Sequence, residues 1–145
     1  MSKFTDQEYL VVYADDDPDD LELLTESFRQ FASHLRVEIF RDGVSALSYL
    51  LNLSALEPAP CLIILDINMP RLDGKECLKK IRDADRLQDV PVVLFTTSIS
   101  DRDKEFAARH NAGFITKPLS SSQMEIITHE LIGHCADDVR KIISR

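Results

Sequence analysis

The run CLIILD, residues 61–66, decides the fold: five apolar residues in succession stop abruptly at the carboxylate of Asp66. Such a run lacks the alternation of a half-exposed strand and fits a strand covered on both faces. Strands of that kind belong to parallel sheets, which carry helices on either side. Upstream, YLVVYA at residues 9–14 repeats the pattern and stops at Asp15, Asp16 and Asp17. Downstream, Val90 to Phe95 form another apolar run, ending in Thr96, Thr97 and Ser98. Two shorter segments, Val37 to Phe40 and Phe114 to Thr116, bring the expected strands to five.

Helical signals fill the intervals. Pro18 followed by Asp19, Asp20 and Glu22 marks a helix start, because proline fits the first turn and carboxylates complement its unpaired N–H groups. Leu21, Leu24, Phe28 and Phe31 then recur at helical spacing, so this helix extends to about Ala32. Asp42-Gly43 turns the chain into a second helix carrying Val44, Leu47 and Leu50, and residues 52–60, with Pro58 and Pro60, form a loop. A third helix from Lys75 to Ala84 gathers Cys77, Leu78 and Ile81 on one face. A more polar helix occupies 101–110 around Phe106, Ala107 and Ala108, and a last one spans Met124 to Ile132. Val139, Ile142 and Ile143 have the spacing to continue a helix beyond Gly133, most simply as intramolecular packing.

Strands alternating with helices predict an α/β doubly wound parallel sheet with helices on both faces, joined by right-handed crossovers. In such sheets ligands bind outside the carboxyl ends of the strands. Those ends carry Asp15, Asp16, Asp66, Thr96 and Lys117.

A chain of 145 residues fits one domain, here expected over 1–145 with its core at about 9–133 and a helical tail at 134–145. With 44% hydrophobic and 29% charged residues it can bury a core without disulfides or a structural metal. Its formal charge of -8 repels phosphate backbones and anionic lipid, which argues against nucleic acid and membrane partners. No run of about 20 apolar residues is present, and MSKFTDQE places acidic residues where a secretory signal carries its apolar segment, so a cytoplasmic location is expected. Cys61, Cys77 and Cys135 are scattered without paired spacing and read as reduced structural thiols. His34, His110, His129 and His134 share no metal-ligand spacing.

A parallel arrangement draws Asp15, Asp16 and Asp66 into one crevice. Carboxylates this close raise one another's pKa or require a cation, and an oxygen-only site suits Mg2+. Asp66, at the end of the most buried strand, is the expected nucleophile, since a carboxylate forms an acyl phosphate without first losing a proton. Thr96 offers a hydroxyl donor and Lys117 a compact positive charge for phosphoryl oxygens.

The motifs ADDDPDD, LDINMPRLDG, FTTS and GFITKP, in this order and at these spacings, resemble those of response-regulator receiver domains of two-component systems, over residues 9–133. The resemblance implies a flavodoxin-like sheet of strand order 2-1-3-4-5. It makes Asp66 the phosphoacceptor and Asp15, Asp16, Asp66 and the Asn68 backbone carbonyl the ligands of Mg2+. It gives Thr96 and Lys117 the roles of switch hydroxyl and phosphate-contacting lysine. Phe114 falls where the family carries an aromatic rotamer switch, often tyrosine; without a hydroxyl, any inward state here is held by packing alone.

Further implications concern signalling. The phosphoryl donor is a sensor histidine kinase or a histidine phosphotransfer protein, and output passes to a downstream protein target, with a homodimer through the fourth and fifth helices as one assembly open to it. The chain is expected to be a self-phosphorylating and self-dephosphorylating switch, not a turnover enzyme. Two other readings share parts of this pattern. A metal-dependent phosphohydrolase with an aspartyl nucleophile would carry two aspartates separated by one residue after the first strand, where this chain continues with Pro18 and Asp19. A phosphorylation-independent scaffold would keep the fold and have no need of Asp66, the acidic pair, Thr96 and Lys117.

Overall fold

The structure, a computed structural model, describes residues 9–54 and 57–135. The strands β1 (Tyr9–Ala14), β2 (Leu35–Phe40), β3 (Leu62–Leu65), β4 (Val92–Thr96) and β5 (Gly113–Thr116) form one sheet of order β2-β1-β3-β4-β5. All four pairings are parallel. Between them run the helices α1 (Pro18–Phe31), α2 (Gly43–Leu51), α3 (Gly74–Asp83) and α4 (Asp101–Arg109), and α5 (Met124–Ile132) follows β5. The expected doubly wound fold and strand order are thus observed.

The central strand behaves as its sequence requires. Leu62, Ile63, Ile64 and Leu65 are fully buried, each burial stabilising the fold by about 1.5–3 kcal/mol before entropy is counted. Side chains alternate: Leu62 and Ile64 join one core with Val11, Tyr13, Leu24, Phe28 and Leu131. Ile63 and Leu65 join the other with Val12, Leu50, Leu78, Ile81 and Leu94. The first core lies under α1 and α5, the second under α2, α3 and α4. Between α1 and α5 a polar pair is also buried, where the Thr128 hydroxyl donates to the Met124 carbonyl, which leaves Ser27 to donate to Thr128 Oγ1 at 2.5 Å.

Helix starts follow the capping residues. Asp17, Asp42, Asp73 and Ser100 each accept a backbone N–H from the first turn of α1, α2, α3 and α4. Away from the sheet's working end, Arg82 closes two loops at once, its guanidinium donating to the carbonyls of His110, Leu87, Val90 and Asn111.

Several boundaries differ from the sequence expectation for local reasons. β4 begins at Val92, not Val90, because the Val90 N–H closes a turn onto the Leu87 carbonyl and Pro91 has no N–H to give. β2 begins two residues early, at Leu35, where it pairs with Tyr9. On α2 the buried stripe is Gly43, Ala46 and Leu50, whereas Val44 is exposed and lines an open apolar groove against α3. Short 3-10 turns at Asp85–Leu87 and Ser121–Gln123 had no clear sequence signal. The stripe of Val139, Ile142 and Ile143 lies outside the described residues.

Sheet register places the functional side chains. Ala14 pairs with Leu65, so Asp15 and Asp66 leave adjacent strands side by side. Thr96 pairs with Thr116, which sets Lys117 one residue beyond Thr96 on the neighbouring strand.

Candidate phosphoacceptor and metal site

At the carboxyl ends of β1 and β3, Asp15, Asp16 and Asp66 each offer a carboxylate oxygen within 4.8 Å of the others. Asp15 is fully buried and Asp66 nearly so, while Asp16 is exposed. The set therefore has a buried floor and an open lip. Charges this close demand compensation, and Lys117 supplies part of it: its Nζ lies 2.7 Å from Asp15 Oδ2, 2.7 Å from Asp20 Oδ2 and 3.0 Å from Asp66 Oδ2. The ammonium also lies 5.9 Å from the centre of the Phe95 ring.

Asp15 is held from three sides. Its Oδ1 accepts the Asp17 N–H at 3.0 Å, and its Oδ2 accepts the Tyr13 hydroxyl at 2.8 Å as well as Lys117. Burial pushes the Asp15 carboxyl above the usual carboxylate range, against the hydrogen bonds from Lys117 and from the Asp17 N–H. Burial also raises the Tyr13 hydroxyl far above its ordinary value, and the charge of Asp15 adds to this, so Tyr13 stays a neutral donor. For Lys117 burial favours the neutral amine, but hydrogen bonds to Asp15 and Asp20 and the charges of Asp15 and Asp66 outweigh it. The lysine is raised and firmly cationic.

Thr96, fully buried at the end of β4, accepts the Ser98 N–H at 3.3 Å on its hydroxyl oxygen. The hydroxyl proton remains free to be donated elsewhere. Lys117 N–H donates to the Thr96 carbonyl at 2.7 Å, which locks the two strand ends together. Asn68 is exposed in the loop after β3. That loop is tight: Gly74 N–H returns to the Ile67 carbonyl at 2.8 Å, and Arg71 adopts a positive φ of 70°. A Cβ on Gly74 would lie 2.2 Å from the Asp66 carbonyl oxygen, so only glycine lets α3 approach this closely. Phe114 is half-buried against the core beneath α2, α3 and α4.

The sequence reading located Asp15, Asp16, Asp66 and Lys117, and the structure brings all of them together. It missed two partners. Asp20 reads as one of several first-turn carboxylates of α1, yet it lies one residue past the first helical position pair and turns onto Lys117. Tyr13 reads as a strand aromatic, and its hydroxyl on Asp15 is invisible without the register. A polar tip on an otherwise buried strand, two residues before a buried carboxylate, is the only signal that could have found it. Asp17, the third aspartate of the run, caps α1.

The oxygen-only donor set fits a hard divalent cation such as Mg2+: two nearly buried carboxylates and an exposed one converge, and one lysine leaves them undercompensated. A family model described as the response regulator receiver domain matches residues 11–129. The chain belongs to that family. The chain is 32% identical over 125 residues to the probable methanogenesis regulatory protein FilR2 of Methanothrix harundinacea, covering 85% of this chain and 81% of that protein. It is also 32% identical over 105 residues to the response regulator Rcp1 of Synechocystis, 71% of each chain. In three dimensions this receiver resembles the phosphorylated cyanobacterial phytochrome response regulator RcpA, with a TM-score of 0.77 at 30% identity over 85% of this chain and 90% of that one. It resembles the Mn2+-bound form of Rcp1 with a TM-score of 0.75 at 26% identity, over 84% and 90%. This is a receiver domain of two-component signalling, a family of switches. No helix among the described residues is long and apolar enough to cross a membrane.

Proposed function

We propose that this receiver, acting as one unit over residues 1–145, accepts a phosphoryl group on Asp66 from a sensor histidine kinase or a histidine phosphotransfer protein. The observation that carries this reading is the convergence of the Asp15, Asp16 and Asp66 carboxylates with Lys117 bonded to Asp66. Asp15, Asp16, Asp66 and the Asn68 carbonyl would hold Mg2+, which when bound supplies positive charge to phosphoryl oxygens and draws the carboxylates together.

In the transfer, an Asp66 oxygen forms a bond to phosphorus as the bond from phosphorus to the donor's imidazole nitrogen breaks. A carboxylate nucleophile needs no general base to activate it. Lys117, held in place by Asp15 and Asp20, neutralises the transferred oxygens. Thr96 retains a hydroxyl proton to donate to one of them, which draws the end of β4 toward the site. Phe114, half-buried on the neighbouring strand, would follow by packing alone. Hydrolysis of the acyl phosphate by water returns Asp66 to the carboxylate.

Output is partner binding, not turnover. The large exposed apolar side chains Ile99, Leu119 and Ile126 lie on the loops after β4 and β5 and on α5, next to the moving strand ends. A protein target at this face, or a second copy through α4 and α5, would read the change. The charge of -8 disfavours nucleic acid, and the cytoplasm is the compartment where a phosphoryl donor of this class is met.

Incubation with acetyl phosphate and Mg2+ followed by intact mass spectrometry tests the reading. A single phosphoryl adduct is expected on the native chain and none on Asp66→Asn. An adduct that survives in Asp66→Asn, or continuous release of phosphate from small esters, would overturn it. Saturable binding of beryllofluoride with Mg2+ separates a working switch from a scaffold that has lost the chemistry.

A further inference from the structure

At the opposite end of the sheet from the carboxylates, two thiols meet. Cys61 precedes β3, and Cys135 lies in the turn that follows α5; they are 74 residues apart in sequence and their Sγ atoms are 3.8 Å apart. Both are buried in the core under α1 and α5. The third thiol, Cys77, belongs to the core on the other face of the sheet, so the sheet itself separates it from this pair.

We propose that Cys61 and Cys135 form an oxidisable dithiol, a modification site at which a hydroperoxide closes an intramolecular disulfide that ties the end of α5 to the start of β3. The sulfurs already touch. A disulfide bond is about 2.0 Å long, so they must close by roughly 1.8 Å, and Cys135 is placed to move. It lies beyond the last residue of α5, its N–H bonded to the Ile132 carbonyl, and helix ends open locally at low cost.

The chemistry balances without another reactant. One cysteine sulfur attacks a peroxide oxygen, the O–O bond breaks, and a sulfenic acid forms as the peroxide leaves as an alcohol, or as water from hydrogen peroxide. The second thiol displaces the sulfenic hydroxyl, which departs as water with that thiol's proton. Two thiols lose two electrons in all and the peroxide gains them. Because the pair lies at the amino end of β3 and the phosphoacceptor at its carboxyl end, this inference does not rest on the phosphorylation reading.

The native chain treated with hydrogen peroxide, then alkylated and digested, decides the matter. Expected are a peptide linking residues 61 and 135, the loss of two hydrogens from the intact mass, an alkylatable Cys77 and reversal by dithiothreitol. The oxidised chain should also unfold about 5–15 °C higher than the reduced one, since the bridge closes a long loop in the unfolded state. Cys135→Ser, and Cys135→Ala should the serine fold poorly, must lose both the link and the rise. Disulfides joining two chains, sulfinic acid at either position, preferential oxidation of Cys77, or three thiols still alkylatable after peroxide would each overturn the proposal.

Discussion

At the carboxyl ends of β1, β3 and β5 the carboxylates of Asp15, Asp20 and Asp66 gather around one ammonium, Lys117, and Asp16 lies beside Asp15 and Asp66. At the amino ends of the same strands lie Tyr9, Cys61 and Gly113, in ordinary ladder pairing or packed against the turn after α5. The strands between are the same, and the central one, β3, is buried along its whole length. The difference therefore lies in electrostatics and not in packing. One end concentrates unlike requirements that a ligand can resolve, and the hydrophobic core beneath it keeps that end folded meanwhile. A switch needs such an undercompensated region on a rigid support.

Removing Lys117 should break the comparison most sharply. Lys117→Met keeps an unbranched stem that ends one atom short of the ammonium and leaves Asp15, fully buried, without its cation. In a chelator the expected loss of stability is about 3–5 kcal/mol, read from the urea midpoint. Mg2+ should then restore more stability to the variant than it adds to the native chain, because the carboxylates it meets are less compensated. Equal responses to Mg2+ would mean that the ammonium and the cation site are independent.

Glycine-to-alanine substitutions at the two ends give a second contrast. At Gly74 a Cβ would fall 2.2 Å from the Asp66 carbonyl oxygen and 2.8 Å from its carbon, both backbone atoms that a rotamer change cannot move. Gly74→Ala should cost about 1–3 kcal/mol as overpacking and slow phosphorylation by acetyl phosphate roughly a hundredfold, by displacing Asp66. Unchanged phosphorylation at lowered stability would show that the loop after β3 adjusts without carrying Asp66 with it.

Much of this contrast was legible in the sequence. Apolar runs ending on polar residues gave the strands, and parallel pairing alone put Asp15, Asp66 and Lys117 at one end. What was not legible depends on register and side-chain direction. Asp20 and Tyr13 reach the cluster only because α1 starts where Asp17 caps it and because Tyr13 faces the core beneath α1 and α5. Cys61 and Cys135 look unrelated at 74 residues apart until β3 and α5 are packed. Val44 has helical spacing yet is exposed, because the narrow contact of α2 is satisfied by Gly43, Ala46 and Leu50.

Asp42 sharpens the electrostatic side of the comparison, since it lies just beyond the carboxyl end of β2 but outside the cluster. Its Oδ1 accepts the Ser45 N–H at 2.7 Å, and that hydrogen bond, with help from the Ser45 hydroxyl and Arg71, holds the carboxyl below its usual range despite burial. Asp42→Ala should cost about 1 kcal/mol at neutral pH. Because the folded-state pKa lies below the unfolded one, this stabilisation is complete above the unfolded value, near 3.9, and is lost as pH falls through the folded value. The difference between variant and native chain in urea should therefore shrink below about pH 4. A penalty that persists undiminished into acid would assign it to the helix backbone and not to the carboxylate.

The smallest effect is expected at Gly113, the counterpart of Gly74 at the quiet end. A Cβ there would lie 2.6 Å from His134 Cε1 and 2.9 Å from its Nδ1, nominally as severe a clash as at Gly74. The obstructing atoms, however, are the edge of a side chain in the turn after α5, and an imidazole ring turns aside where a carbonyl of β3's loop does not. Gly113 has no positive φ, so alanine meets no backbone strain in β5 and restricts the unfolded chain, which favours folding. These opposing contributions should leave Gly113→Ala within about 0.5 kcal/mol of the native chain. A loss above about 2 kcal/mol in urea would mean that His134 is wedged as firmly as the Asp66 backbone. The amino end would then be as intolerant as the site, and Cys135 beside it would lack the freedom that closing a disulfide requires.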